Sequence, residues 1–338
     1  GGVVPGAGSA RRRYGRRCRL SQSSNSGVVM RPLPRAALDI ARRQHGLITA
    51  SDLRPLGFTG RARSDALAAG ALVPLHRGVY RLGSHAESFE QRSKAALLAA
   101  PDAVLAGPTA GRYWKLRAVW TEDVHILARR AIKLDLVHTH RTDLLRETDV
   151  VEKYGVRLLA PARLLCDLAR FLDEAELESV FEQMLDRRLL VVESARSMAR
   201  RFCRPGRPGS QEIARLLDGR PEWLKPAGSD LELRVWKALV QAGHVLERQV
   251  EIAVDDGRTV RLDLAMREYR LAIEIDHARY HGGRLDVQGD KRRDRQLISQ
   301  GWTVVRVTDE DIDRRFATTM AELVHLLDQR IADFRSAS

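Results

Sequence analysis

The sequence predicts a multidomain chain of mixed α+β and α/β type, and three observations carry that expectation. Its 338 residues exceed the roughly 100–200 of a usual single domain. Its first patterned stretch reads as short helices followed by a hairpin, and its last reads as helix, three strands, helix, strand. Between them the basic Pro/Gly-rich run "RFCRPGRPGS", residues 201 to 210, interrupts the pattern as a hinge would. The boundaries expected are a basic disordered leader over 1–31, a first domain over 32–84, a middle domain over 85–200, a linker over 201–228 and a last domain over 229–338.

Composition narrows the class. Hydrophobic residues at 44% and charged residues at 30% suit a soluble globular chain, and no window approaches the roughly 18 apolar residues of a membrane span. The expected location is cytoplasmic, with no membrane partner. The formal charge of +13 leans on the leader, where seven arginines stand without an acid. The leader also lacks the apolar core of a secretory signal. Two readings stand for it: an arm that touches phosphate, or upstream sequence ahead of Met30 as the initiator. Cys18, Cys166 and Cys203 are scattered and odd in number, so neither a disulfide framework nor a thiolate zinc site is legible.

Residues 35 to 83 open with an apolar helix pattern through Leu38 and Ile40 that stops at Gly46. Thr49 or Ser51 caps a second helix in "SDLRPLG", and "TGRARSDALAAG" makes a third between Thr59 and Gly70. "ALVPLHRGVYRLG" alternates around a bend at His76 to Gly78. Three helices and a hairpin spell a winged helix-turn-helix. That geometry puts Arg61, Arg63 and Ser64 near the N-terminus of the helix that enters a DNA major groove, and His76 and Arg77 at the wing tip. A small helical domain with solvated arginines is the alternative.

In the middle, "DVHILARR" and "LDLVHTHRT" read as strands, and "APARLLCDLARFL" and "EAELESVFEQMLDRRLL" as amphipathic helices. His138 and His140 share a strand face, with His125 elsewhere, and two histidines do not make a metal site. The N-terminal half, residues 35 to 200, resembles the AbiEi family of abortive-infection antitoxins through "HGLITASDL", "HRGVYRLG" and the run "HRT … GVRLLAPARLLCDLA". What that resemblance implies is a DNA-binding, autoregulatory domain with a toxin or defence partner.

The last domain carries acids among residues patterned for burial. Asp256-Gly257 marks a hairpin, and "REYR" a second turn. If that turn centres between Glu268 and Tyr269, Asp263 falls opposite Glu274. Asp263, Glu274 and Asp276 then share one face with Ala265 and Ala272, and Leu262, Leu264, Ile273 and Ile275 take the other. Opposed carboxylates repel, and a hard divalent cation relieves the repulsion while supplying what phosphodiester hydrolysis needs. A sheet face that points at water is the alternative. The following loop brings His281. Glu232 in "SDLE" also reads as a capping box on Ser229. In "DKRRDRQL", Lys291, Arg292 and Arg293 serve either phosphate contact or a salt-bridged helix surface.

These segments, "RLDLAM", "AIEIDHARYH", "DKRRDRQL" and "GWTVVRV", resemble the PD-(D/E)XK nuclease superfamily, within the group similar to very-short-patch-repair endonucleases. The resemblance implies a restriction-endonuclease-like mixed sheet flanked by helices, and a Mg²⁺- or Mn²⁺-dependent DNA endonuclease for defence or repair. It makes Asp263 the first motif acid, Glu274 the second and Glu232 the helix acid; the shared strand face makes Asp263, Glu274 and Asp276 the expected metal ligands, with His281 as the proton-transfer candidate. The usual lysine is replaced by Asp276, and His277 follows it. A second reading is therefore an AbiEi-type antitoxin or transcriptional repressor whose nuclease fold is inactive, with a homodimer left open for either.

Overall fold

The computed structural model describes residues 32–218, 220, 224–254, 257–276 and 284–337, with backbone alone for 284–291 and 337. The leader, Asp256, His277 and His281 lie outside the described residues. Within them the chain is a mixed α/β protein built on three sheets.

The first region runs α1 (Arg35–Arg43), β1 (Leu47–Thr49), α2 (Ala50–Leu53), α3 (Gly60–Ala68), β2 (Leu72–His76) and β3 (Val79–Leu82). Thr49 starts α2 by a reciprocal cap: its Oγ1 accepts from Asp52 N at 3.1 Å, and Asp52 Oδ2 accepts from Thr49 N at 2.9 Å. Such a cap contributes about 1 kcal/mol. Thr59 caps α3 one way only, its Oγ1 accepting from Ala62 N at 3.4 Å, and Gly70, with φ 71°, turns the chain out of it into the hairpin. Sequence patterning missed β1, which pairs antiparallel with β3 in the order β1-β3-β2. Three residues between a helix and a cap are too few to register a period. Ala37, Ile48, Phe58, Ala66 and Tyr80 close the core.

The second region comprises α4 (Phe89–Ala99), β4 (Val104–Leu105), α5 (Gly107–Tyr113), β5 (Val124–Ala128), β6 (Val137–Arg141), β7 (Val150–Lys153), β8 (Val156–Leu159), α6 (Pro161–Leu168), α7 (Glu174–Asp186), α8 (Val192–Phe202) and α9 (Ser210–Asp218). The mixed sheet has the order β6-β5-β4-β8-β7. The expected linker over 201–228 is corrected here. α9 puts Ile213 and Leu217 into the same core as Leu164 and Phe181, so the Pro/Gly run is a turn between two packed helices. Its charge and glycines masked the apolar Ile213, Leu216, Leu217 stripe that follows.

The third region is α10 (Asp230–Gln241), β9 (Glu247–Ala253), β10 (Thr259–Met266), β11 (Leu271–Asp276), α11 (Arg284–Ser299), β12 (Thr303–Thr308), α12 (Asp309–Arg314) and α13 (Phe316–Ala337). The sheet order is β12-β11-β10-β9, antiparallel except for β11 and β12, which α11 joins as a parallel crossover. One face packs Leu264, Ile273 and Ile275 on α10 and α13. The other packs Leu262, Ala265, Ala272 and Trp302 on Leu297 of α11. No described helix is long and apolar enough to cross a membrane.

Candidate active site

The β10–β11 hairpin pairs Leu264 with Ile273, Ala265 with Ala272 and Met266 with Leu271, the register that the "REYR" turn implied. Continued by one step, it sets Asp263 opposite Glu274. The ladder ends at that step, because Asp263 Oδ2 accepts the Ile275 N–H at 3.0 Å in place of a backbone carbonyl. On its other side, the β9–β10 ladder also skips the Gln249–Asp263 pair, and Gln249 has φ 51°. A non-glycine residue there is costly and needs a reason.

The break explains one departure from the expected faces. Leu262 lies with Ala265 and Ala272, not with Leu264, because alternation is interrupted at Asp263. The same interruption turns the Gln249 amide inward. Its Nε2 donates to Glu232 Oε2 at 2.6 Å and lies 3.5 Å from Asp263 Oδ1. Ser229 Oγ caps α10 by accepting from Glu232 N, but the Glu232 carboxylate takes the Gly228 N–H at 2.9 Å, so the reciprocal arm of a capping box is missing. A Cβ on Gly228 would meet Glu232 Oε1 at 2.9 Å, which keeps that position bare. Burial, and then the charge of Asp263, raise the Glu232 pKa.

Glu274 is 3% exposed, and burial pushes its carboxyl up to about 7 against the pull of Arg293 and Arg306. Arg293, from α11, donates to its Oε1, and Arg306, its parallel-strand partner on β12, lies 3.2 Å from Oε2. Arg306 also reaches Asp276 at 3.3 Å and Asp294 at 2.8 Å. Asp276 is thus held in an arginine-centred network rather than beside Asp263. Gln249 and Arg306 escaped the sequence reading. The signal for Arg306 was available, since it stands two residues from core-facing Val304 in a strand of β-branched residues.

The remaining candidates are dispersed. Arg61 and Ser64 are exposed on α3, Arg63 sits 6.0 Å from the Tyr80 ring centre, and Arg77 is exposed at the β2–β3 turn. His76 is half-buried, which lowers its pKa. Arg292 is exposed on α11, whereas Arg293 is turned inward, also donating to Arg261 O at 2.8 Å. Of Lys291 only the backbone is described, within α11.

Hard oxygen donors at Asp263 and Glu274 fit a divalent cation that keeps waters and completes its shell with substrate oxygens. They do not make a closed protein cage: among the described residues no group of three His, Cys, Asp or Glu side chains is arranged to hold a metal ion.

Comparison with known proteins meets this geometry. Residues 231–327 match the REase_MTES_1575 family, which is restriction-endonuclease-like. Domains of that kind are generally dependent on a divalent metal. Residues 35–83 match AbiEi_4, the transcriptional regulator and AbiEi antitoxin family. Two uncharacterized proteins of Mycobacterium tuberculosis, from strains CDC 1551 / Oshkosh and H37Rv, are each 28% identical over 175 residues. The match takes in 50% of this chain and 61% of theirs.

The middle-domain histidines form a cluster of their own. β5 and β6 pair His125 with His138, their rings stack at 4.5 Å, and His125 Nδ1 is 3.1 Å from His140 Nε2. Burial, then His138 and His140, bring His125 down to about 4. In the unfolded chain it takes a proton near 6.5, so its stabilising effect is complete above that pH and is lost as pH falls toward 4. His125→Gln should flatten the acid side of the stability curve by at most about 3 kcal/mol. Urea unfolding at pH 7 and 4.5 reads this, and an unchanged pH slope would refute it.

Proposed function

We propose that the chain acts on DNA, with residues 35–83 as a winged-helix reader and the C-terminal sheet as a Mg²⁺- or Mn²⁺-dependent endonuclease domain. The observation that carries this reading is the break in both β10 ladders at Asp263. It sets that carboxylate beside Glu274, where two arginines supply the positive charge that the superfamily lysine would. Asp263 and Glu274 would hold the cation, which when bound supplies charge neutralisation and an activated water.

Arg293 has two roles in this scheme. Without substrate it neutralises Glu274. A phosphate arriving at the face competes for the same guanidinium, since a bidentate arginine suits phosphate as well as carboxylate, and its transfer releases Glu274 Oε1. Arg306 stays with Asp276 and Asp294 and offsets part of the negative charge of the carboxylates gathered there. Gln249 holds Asp263 and Glu232 at fixed separation. His281, five residues beyond Asp276 in the sequence and outside the described residues, is the proposed proton-transfer group. Arg61, Arg63, Ser64, His76 and Arg77, with Lys291 and Arg292, would contact the duplex.

The full chain incubated with supercoiled plasmid and Mg²⁺ or Mn²⁺ should give nicked or linear product that a chelator suppresses. No product with either ion would remove the enzymatic reading. A second reading is favoured by the arginine pairing itself: with Glu274 neutralised from within, the fold can persist as a DNA-holding module of an AbiEi-type antitoxin or repressor, cytoplasmic and paired with a toxin or with its own copy. Calorimetric titration separates the two. Mg²⁺ uptake that disappears in Glu274→Gln supports the nuclease, and absent uptake with binding to its own promoter supports the repressor.

A further inference from the structure

Arg163, on α6, is 1% exposed, yet among the described residues its Nε and Nη1 have no hydrogen-bond partner. Its nearest carboxylate, Asp167 Oδ1, is 3.8 Å from Nη1, an ion-pair distance but not a hydrogen bond. A buried guanidinium normally has its donors satisfied, so two idle donor nitrogens need an explanation. Burial weakens its hold on the proton, and Asp167 only partly restores it.

The surroundings supply that explanation. Arg163 lines a cavity of about 190 Å³ between the end of β6, helix α6 and the turn after α8. Arg141, Arg170 and Arg207 line the same cavity. Two carboxylates face these four arginines: Asp143, exposed at the edge of the cavity, and buried Asp167, whose Oδ2 accepts the Gly107 N–H at 2.8 Å and whose Oδ1 lies 3.4 Å from Arg170 Nη2 as well as near Arg163. Phe202 fixes the geometry, with the Arg163 and Arg207 guanidinium carbons 3.9 and 4.5 Å from its ring centre. Arginine keeps its charge at any physiological pH and matches phosphate oxygens as a fork.

We propose that this cavity binds a phosphomonoester: a terminal phosphate group, free or on a small ester such as a nucleotide, entering past Arg141 and Arg207 to reach Arg163. A duplex backbone cannot reach a side chain so deeply placed, which singles out a terminal phosphate. The site draws on "HRT" and "PARLLCDLA", the middle-domain segments that the nuclease reading leaves unused, and it stands or falls independently of that reading.

The test uses the full chain at constant ionic strength, with inorganic phosphate and AMP as probes and sodium chloride as control. Isothermal titration should give a Kd below about 1 mM for at least one probe, with a matching rise in melting temperature. Inorganic phosphate alone would identify a free-anion site, and at least tenfold tighter AMP a nucleotide site. Arg163→Met should remove binding, and its unliganded melting temperature should not fall, because the side chain it removes is a buried cation that Asp167 only partly compensates. Should that variant misfold, Arg207→Gln and Arg141→Gln, at the half-buried and exposed positions, should each weaken binding at least tenfold. The proposal is overturned if neither probe binds, or if both of those variants bind as the parent does.

Discussion

Asp263→Asn should slow Mg²⁺-dependent nicking by about 10²–10³-fold, the scale on which a preorganised charge at a reacting centre acts, while leaving stability almost unchanged. The asparagine carbonyl can still accept the Ile275 N–H that Asp263 Oδ2 takes at 3.0 Å. Only the negative charge is lost. Asp263→Ala removes the acceptor as well and leaves a strand amide unsatisfied, at a cost of about 1–3 kcal/mol. The pair separates chemistry from architecture: both variants should fail to cut, and only alanine should melt earlier. An asparagine variant that nicks at the parental rate would exclude Asp263 from the reaction. An alanine variant as stable as the asparagine one would show that the hydrogen bond to Ile275 does not support the strand.

Glu182→Ala should destabilise the chain by about 3–5 kcal/mol, the range for removing one partner of a buried ionic group. Glu182, on α7, lies 2.9 Å from Arg220 Nη1, and its Oε2 accepts from Arg248 Nη2 at 3.3 Å and from Ala227 N at 2.8 Å. Both arginines are buried, and burial weakens their hold on the proton while Glu182 strengthens it. Without Glu182, two cations are left in a low-dielectric junction between the middle domain and β9. Replacing all three side chains together, as E182L/R220M/R248M, should recover most of the loss, because a well-packed apolar cluster of similar volume has no desolvation cost. Denaturant unfolding of the single and triple variants decides it. A single variant within about 1 kcal/mol of the parent would mean that water reaches the junction.

The legible parts of the fold were those written in local chemistry. Thr49 and Thr59 as helix starts, Gly70 and Gly78 as turning points, and the hairpin register through "REYR" all follow from caps, positive φ and period two. β1 was illegible because three residues hold no period, and α9 because a basic Pro/Gly turn precedes its apolar stripe. At the candidate site, the carboxylates could be found by their oddity among strand residues. Gln249 could not, since its importance comes from a left-handed backbone conformation that no side-chain pattern encodes. Arg306 could have been found, as a cation on the inward face of a strand. The Arg163 cavity was beyond reach, because an unsatisfied guanidinium is a property of packing between segments distant in sequence and not of any one of them.

The hydrogen bond from Ile275 to Asp263 also bears on how such a domain ages. A lineage that stops cutting is free to discard acids needed only for cleavage, but position 263 must still present an oxygen to its neighbouring strand. Aspartate or asparagine is therefore expected there in descendants with or without activity. Glu274 is under no such obligation, because Arg293 and Arg306 are partly exposed, at 28% and 31% of their side chains, and can turn to water if it goes. Decay should begin at 274. Under the proposed nuclease reading, the glutamate is the position that would report on cutting and the aspartate is the misleading one.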